Sequence, residues 1–316
     1  KKEKVMAQIF YDKAAVQVET LAPSAQIREV LMASDCSINF SNSISPLYSV
    51  GRKGPLGQLP SGPRVGDISF NFLTTITGNG NPLLQSGGNV INFLASGIKN
   101  STDSYARGVK ILCGGISGIG FLNSYSFNVT SNSISSSSAS FTLFGSGDFL
   151  PVSGRLSGDA SITPYTGNTA GTNDNGATVT TGIAHGRYTQ MPDTMNTTIY
   201  QSNAAEGERY VTGTIYSADY SISFNHNPLY KIGEEFPTCT YYTTASESIN
   251  VSEDVFDSGL SYTGHARDYV LDIRGLGGAE SAGMQVPITS AKQINTSASV
   301  GLDDIIRTQK TLTAAY

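Results

Sequence analysis

SINFSNSISPLYSVG, at residues 37–51, returns in altered form at residues 221–233 as SISFNHNPLYKIG. Each copy begins with Ile and Phe at alternating positions, which is typical of a strand with one buried face. Each then runs through Asn and Ser into Pro-Leu-Tyr and reaches a glycine three residues after the tyrosine. We call the two glycine-closed segments the PLYxxG turns. Their defining residues are Pro46, Leu47, Tyr48 and Gly51, then Pro228, Leu229, Tyr230 and Gly233.

A second pair of related stretches follows the PLYxxG turns, one in each half of the chain. Residues 127–143 read FNVTSNSISSSSASFTL and residues 286–302 read VPITSAKQINTSASVGL, and the two align without a gap. In both, two short segments with alternating apolar residues flank a polar stretch. This pattern predicts a β-hairpin with one buried face at each place.

The two motifs recur in the same order, so we interpret the chain as an internal duplication. The predicted fold class is mainly β, with two tandem β-sandwich or barrel units, one flanking helix and long loops or hairpins. The units are assigned to residues 31–150 and 211–316, and residues 1–30 to an N-terminal arm. Residues 151–210, rich in Gly, Thr and Asn, are predicted to form an insert or an arm that orders against a neighbouring subunit, with a simple linker as the alternative.

Apolar periodicity predicts the other elements. Residues 88–100 have one apolar face at helical spacing, which predicts the flanking helix. The residues of that face are Val90, Ile91, Leu94 and Ile98. A short terminal helix is predicted over residues 302–310. Further strands are predicted at residues 66–73, 211–217, 247–252 and 268–274.

Composition narrows the range of functions. The chain has 316 residues, 34 of them Gly, and only 14% are charged, which favours strands and turns. A formal net charge of −5 argues against a surface dedicated to gripping nucleic acid, because such a surface needs a basic excess. The sequence has neither a run of 18 apolar residues nor a recognisable signal-peptide core, so no membrane span is expected. The three cysteines, far apart in sequence, are expected to be free thiols in a reducing compartment.

Three short motifs that could carry chemistry are each incomplete. GGISGIG at residues 114–120 lacks the second glycine of a nucleophile elbow around Ser117. RGLGGAE at residues 274–280 has Glu280 where a dinucleotide-binding loop has its third glycine. NDNG at residues 173–176 lacks the remaining ligands of a calcium loop. The sequence therefore predicts no enzyme, no cofactor and no bound metal.

The hairpin at residues 124–145, its counterpart at 283–302 and the two PLYxxG turns together resemble tailed-bacteriophage tail tube proteins and their baseplate hub relatives. In that family each unit is a small β-sandwich or barrel flanked by one helix, and long loops or hairpins reach neighbouring rings. The resemblance leaves out the N-terminal arm and the insert. It implies that the PLYxxG turns are assembly surfaces.

The function implied by this resemblance is a virion structural protein whose rings stack into a tail tube and form a channel for DNA. Two units in one chain favour a trimeric ring, with a hexamer as the alternative. The implied partners are copies of the chain and other virion tail proteins, with DNA only as passing cargo. The implied location is the virion, after assembly in the host cytoplasm. Competing interpretations are another virion part, such as a capsid decoration, collar or baseplate hub protein, and a carbohydrate-binding surface adhesin.

Overall fold

The structure is a computed structural model, and it describes most of the chain in segments. The described residues are 16–20, 28–31, 33–41, 44–60, 65–74, 89–99, 109–113, 116–131, 133–143, 171–172, 178–179, 192–201, 215–232, 239–253, 266–275, 283–299 and 307–316. Within them the chain is mainly β, with one α-helix, as the sequence predicts.

The helix is α1 (Val90–Lys99). The strands up to Leu143 are β1 (Val16–Thr20), β2 (Arg28–Leu31), β3 (Ala33–Ser41), β4 (Ile44–Leu47), β5 (Gly57–Pro60), β6 (Val65–Leu73), β7 (Val109–Cys113), β8 (Ile116–Thr130) and β9 (Ser136–Leu143). The later strands are β10 (Gly171–Thr172), β11 (Thr178–Val179), β12 (Pro192–Gln201), β13 (Ile215–Leu229), β14 (Cys239–Glu253), β15 (Arg267–Gly275), β16 (Gly283–Ser299) and β17 (Arg307–Ala315).

Thirteen of these strands form one antiparallel sheet, and we call eight of them the main sheet, in the order β3-β6-β9-β8-β13-β14-β17-β16. The first four strands come from the chain up to Leu143, and the last four begin at Ile215. Each set of four has the same order: the two strands of a long hairpin, then the last strand of the half, then the second-to-last. The ladder between β8 and β13 joins the two sets.

Two long strands, β8 and β16, change partners along their length. The beginning of β8 pairs with β7, which continues to β1 and β2. The beginning of β16 pairs with β15, which continues to β12. We call these neighbours the side strands. Their buried residues, such as Val18 and Leu271, belong to the same hydrophobic core as those of the main sheet.

The core forms because the main-sheet strands turn one largely apolar face inward, and β6 shows this most regularly. Along β6, the side chains of Ile68, Phe70 and Phe72 are almost fully buried, while the intervening residues are exposed, which confirms the predicted strand at 66–73. The strand predicted at 268–274 is β15, and that at 247–252 lies within β14. Of the strand predicted at 211–217, residues 215–217 begin β13 and the rest lie outside the described residues.

Helix α1 confirms the predicted helix at 88–100. Val90, Ile91 and Leu94 are buried on one face, as the helical spacing requires. The helix begins at an N-cap, because the Asn89 side chain accepts a hydrogen bond from the Asn92 backbone N–H at 2.9 Å. The helix therefore lies against the buried face of the sheet.

Two sequence predictions in the second half are wrong. Residues 283–299 form the single strand β16, so the stretch 286–302 is not a hairpin. A left-handed Ser290 (φ 55°) and a register shift after Gln293 bend the strand without reversing it. The terminal helix predicted at 302–310 is also wrong where the structure describes it, because Arg307–Ala315 is strand β17.

The expectation of free thiols is wrong for Cys36. This residue, in β3, is disulfide-bonded. The cysteines therefore give no support to assembly in a reducing compartment.

Candidate assembly site

The first PLYxxG turn lies at the tip of a long hairpin. Strands β3 and β6 pair along their length, and β4 and β5 extend the hairpin as a separate two-stranded ladder. Pro46 and Leu47 end β4, and Tyr48 follows them. Gly51 has a φ of 85°, a left-handed conformation that other residues adopt only with strain. We call residues 44–60 the first tip.

The second PLYxxG turn lies at the tip of the equivalent hairpin, β13–β14. Pro228 and Leu229 end β13, and Tyr230 begins the connection to β14. Gly233 lies outside the described residues. We call residues 228–232 the second tip. The structure thus gives both sequence-predicted turns the same place in two equivalent hairpins.

Both tips expose the same kind of apolar surface. Val50 and Ile232, at corresponding positions, are fully exposed at 104% and 107%. Leu47 and Tyr48 are exposed in the first tip, and Leu229 and Tyr230 in the second. Large apolar side chains clustered and exposed in this way are typical of an interaction surface.

The two tips project from the same end of the main sheet. Four antiparallel steps lead from β3 through β6, β9 and β8 to β13. An even number of antiparallel steps returns the strand direction, so β3 and β13 run the same way. Each of these strands is followed by its tip, and the tips therefore share one end.

The face of the main sheet opposite the core is lined with short hydroxyl side chains that bond to one another across the strands. The Oγ atoms of Ser37 and Ser69 lie 2.7 Å apart, and those of Ser124 and Ser140 lie 2.8 Å apart. The same pairing continues in the second half and includes Ser221–Ser248 and Ser223–Ser246 at 2.8 and 2.7 Å. Because these hydroxyls satisfy one another, the face presents few unpaired donors or acceptors to a ligand.

This polar face carries a groove near the junction of the two halves. The groove has a volume of about 770 Å³ and is lined by residues of both halves such as Ser126, Ser221, Ser248 and Lys292. Exposed carboxylates on the face are held by amides. Asp35 accepts hydrogen bonds from the Asn71 side chain at 2.9 and 3.0 Å, and Asp219 accepts one from Asn128.

A buried charged cluster ties α1 of the first half to the second half. The Lys99 Nζ lies 2.9 Å from Glu247 Oε1, and both side chains are almost fully buried. Tyr220 and Tyr316 each donate a hydrogen bond to this carboxylate at 2.7 Å, and Lys99 also donates to the Pro287 carbonyl. Burial, and then the Glu247 charge, raise the pKa of both tyrosines, so they remain neutral donors.

A histidine lies at the junction of the halves on the tip side. The His226 Nε2 lies 2.6 Å from the Asn123 Oδ1, which also accepts a hydrogen bond from Thr142 at 3.1 Å. Burial lowers the pKa of His226. The arrangement holds β13 against β8 through a neutral imidazole.

A carboxyl group lies under the start of α1. Glu29 Oε2 accepts a hydrogen bond from the Val90 backbone N–H at 2.6 Å, and only 3% of Glu29 is exposed. Burial raises its pKa to about 7, against the opposing effect of the Val90 bond. Burial likewise raises the pKa of the neighbouring Tyr125 to about 12.

Sequence reasoning missed these buried polar residues. Glu247 occupies an inward position between Ala245 and Ile249 in the alternating strand β14, and this was the available signal. Nothing in the sequence pattern around Lys99, in the last turn of α1, indicates that this side chain is buried. Among the described residues no group of three or more His, Cys, Asp and Glu is arranged to hold a metal ion. No described helix has both the length and the apolar character needed to span a bilayer.

Comparison with known proteins gives no relative, since neither a protein-family model nor a curated protein matches the chain.

Proposed function

We propose that this protein is a structural component that assembles into rings, and that the rings stack into a tube with a central channel. The observation that carries the proposal is the repeated four-strand order, joined within the chain by the β8–β13 ladder. This repetition supports the predicted tandem units, because a duplicated unit would pair its strands in the same order twice.

The two edge strands of the main sheet, β3 and β16, would allow copies of the chain to join into a ring. In the described part of the chain, β3 pairs only with β6, and the end of β16 pairs only with β17. Such open edges are an aggregation hazard for a monomer. Because the two edges differ, joining them head to tail is a heterologous contact, and it closes into a ring when the rotation fits.

The dimensions suit a wide channel. Each chain contributes eight strands to the main sheet, so three chains contribute 24. At about 4.8 Å per strand, the circumference is about 115 Å and the diameter about 37 Å. The trimer is the assembly that we favour, with the hexamer as a wider alternative.

The chemistry of the polar face suits a channel through which DNA passes. Its short Ser side chains are bonded to one another, and its exposed carboxylates Asp35 and Asp219 repel phosphates. The groove lies on the polar face, so in this proposal that face lines the channel, and the core-covering helix and side strands would face outward.

The tips supply the stacking contacts in this proposal. Both apolar tips project from one end of each chain, so a ring of three chains would present six of them to the next ring. This arrangement, together with the family resemblance, supports a tail tube or a related ring of a bacteriophage virion. Other virion tail proteins would then be its partners at the ends of the tube.

The test is the oligomeric state of the purified chain. Light scattering coupled to size-exclusion chromatography should give a discrete mass that is a multiple of 33.3 kDa, and negative-stain microscopy should show rings or tubes. A monomer at every concentration and isolated globules in the microscope would contradict the proposal. A monomer that binds glycans would favour the adhesin instead.

A further inference from the structure

We infer the register in which two copies of this chain pair through their open edges. The ladder joins β16 of one copy to β3 of the next, with Lys292 opposite Asn39, Asn295 opposite Ser37, and Ser297 opposite Asp35. This inference rests on the proposed ring and specifies its partner surface. It is drawn from the β8–β13 junction, which the chain already contains.

One row of cross-strand pairs matches the two halves of the chain. Starting from Ser37, the partners in successive strands are Ser69, Ser140 and Ser124. The residue that corresponds to Ser37 in the repeated motif is Ser221. Its partners in successive strands are Ser248, Thr313 and Lys292. Lys292 in β16 therefore corresponds to Ser124 in β8.

The neighbouring row gives the same match independently. The first-half row runs from Asp35 to Asn71, Ser138 and Ser126. The second-half row runs from Asp219 to Asn250, Thr311 and Asn295. Asn295 therefore corresponds to Ser126. Ile294 is the extra residue at the β-bulge of β16, which explains why Lys292 and Asn295 are three residues apart while Ser124 and Ser126 are two apart. By the same pairing with β17, Ser297 corresponds to Asn128.

The β8–β13 junction inside the chain sets the register. There Ser124 lies opposite Ser223, Ser126 opposite Ser221, and Asn128 opposite Asp219. Each row of the first half therefore meets β13 two residues beyond the position that corresponds to its own starting residue in β3: the row from Ser37 to Ser124 meets Ser223 and not Ser221. Replacing each residue by its counterpart gives the intermolecular ladder stated above.

The side chains at the new junction are complementary. At the internal junction Asn128 donates to Asp219, and at the intermolecular one the Ser297 hydroxyl can donate to Asp35. The exposed Lys292 lies opposite Asn39, whose partner in the next strand, β6, is the exposed Asp67. The Asp67 carboxylate accepts a hydrogen bond from the neutral Thr142 hydroxyl, so its negative charge is available to the Lys292 ammonium group.

Disulfide cross-linking tests this register. Ser37→Cys and Asn295→Cys are introduced in separate copies of the full chain, which are then mixed and oxidised. Both positions are exposed, so neither change disturbs the core. Directly opposed residues have the Cα spacing that a disulfide needs, whereas a two-residue slip does not. The expected result is at least about tenfold more linked dimer than from Ser37→Cys mixed with Ser297→Cys.

Controls separate this inference from the proposed function. Each single variant oxidised alone reports the background from the native cysteines. Rings in the microscope with preferential linkage of the Ser297→Cys pair, or with no linkage of either pair, would overturn the register and leave the ring intact. Monomers in every mixture would overturn the ring itself, and the register with it.

Discussion

Glu29→Gln should stabilise this protein above neutral pH. The wild-type carboxyl is 3% exposed, and its pKa is raised from 4.5 to about 7 because burial disfavours the charged form. Glutamine is neutral at every pH and keeps an oxygen that can accept the Val90 N–H, so it copies the protonated state of Glu29.

The magnitude follows from linkage. Between pH 4.5 and 7 the folded state holds a proton that the unfolded state has released, so the free energy of unfolding falls as pH rises through that window. The two pKa values differ by about 2.5, and at about 1.4 kcal/mol for each pH unit the upper bound is about 3 kcal/mol. The loss in free energy of unfolding caused by Glu29 is complete above pH 7 and absent below pH 4.5.

The assay is urea unfolding of both proteins at pH 4.5, 6 and 8, followed by circular dichroism. The Gln variant should gain about 3 kcal/mol over the wild type at pH 8 and almost nothing at pH 4.5. Asp35→Asn removes an exposed carboxylate and serves as the matched control. A Gln variant no more stable than the wild type at pH 8 would refute the assignment of a buried, desolvated carboxyl.

Three further perturbations probe the rest of the molecule. Because burial lowers the pKa of His226, the free energy of unfolding should decline as pH falls below the unfolded-state pKa of 6.5. His226→Gln should reduce that decline between pH 7.5 and pH 5, as measured by urea unfolding at both pH values. An unchanged pH profile would contradict the assignment of His226 as a buried neutral imidazole. Lys99→Ala should cost about 3–5 kcal/mol in urea unfolding, because it leaves the Glu247 carboxylate buried without its cation, and a loss below 1 kcal/mol would exclude a buried ion pair. The double change Val50→Ser and Ile232→Ser should alter stability by less than about 0.5 kcal/mol, because both side chains are fully exposed. The same double change should leave rings that no longer stack in micrographs, and tubes of normal length would disprove the stacking role of the tips.

Local patterns in the sequence were enough to predict some elements. The alternation of Ile68, Phe70 and Phe72 and the helical spacing around Val90 identify β6 and α1, because each element buries one regular face. The repeated PLYxxG turns identify two equivalent hairpin tips, since a glycine-closed turn is a local feature. The assembly role of these turns remains a prediction.

Other features depend on distant partners and were not predictable. The polar stretch within 286–302 has the composition of a turn, yet the ladders with β15 and β17 hold it as one strand. Residues 307–310 could form a helix in isolation, but pairing with β14 makes them a strand and buries Lys310 against Glu253. In both places tertiary contacts override the local preference.

The two-residue advance at the junction of the halves has a consequence for the proposed channel. In the proposed ring of three chains, a polar row that advanced by two residues at each junction would cross six halves and return about twelve residues, or roughly 40 Å, further along the strands. Such rows would not close into circles. They would run helically around the proposed channel, so a filament that followed them would be turned as it advanced.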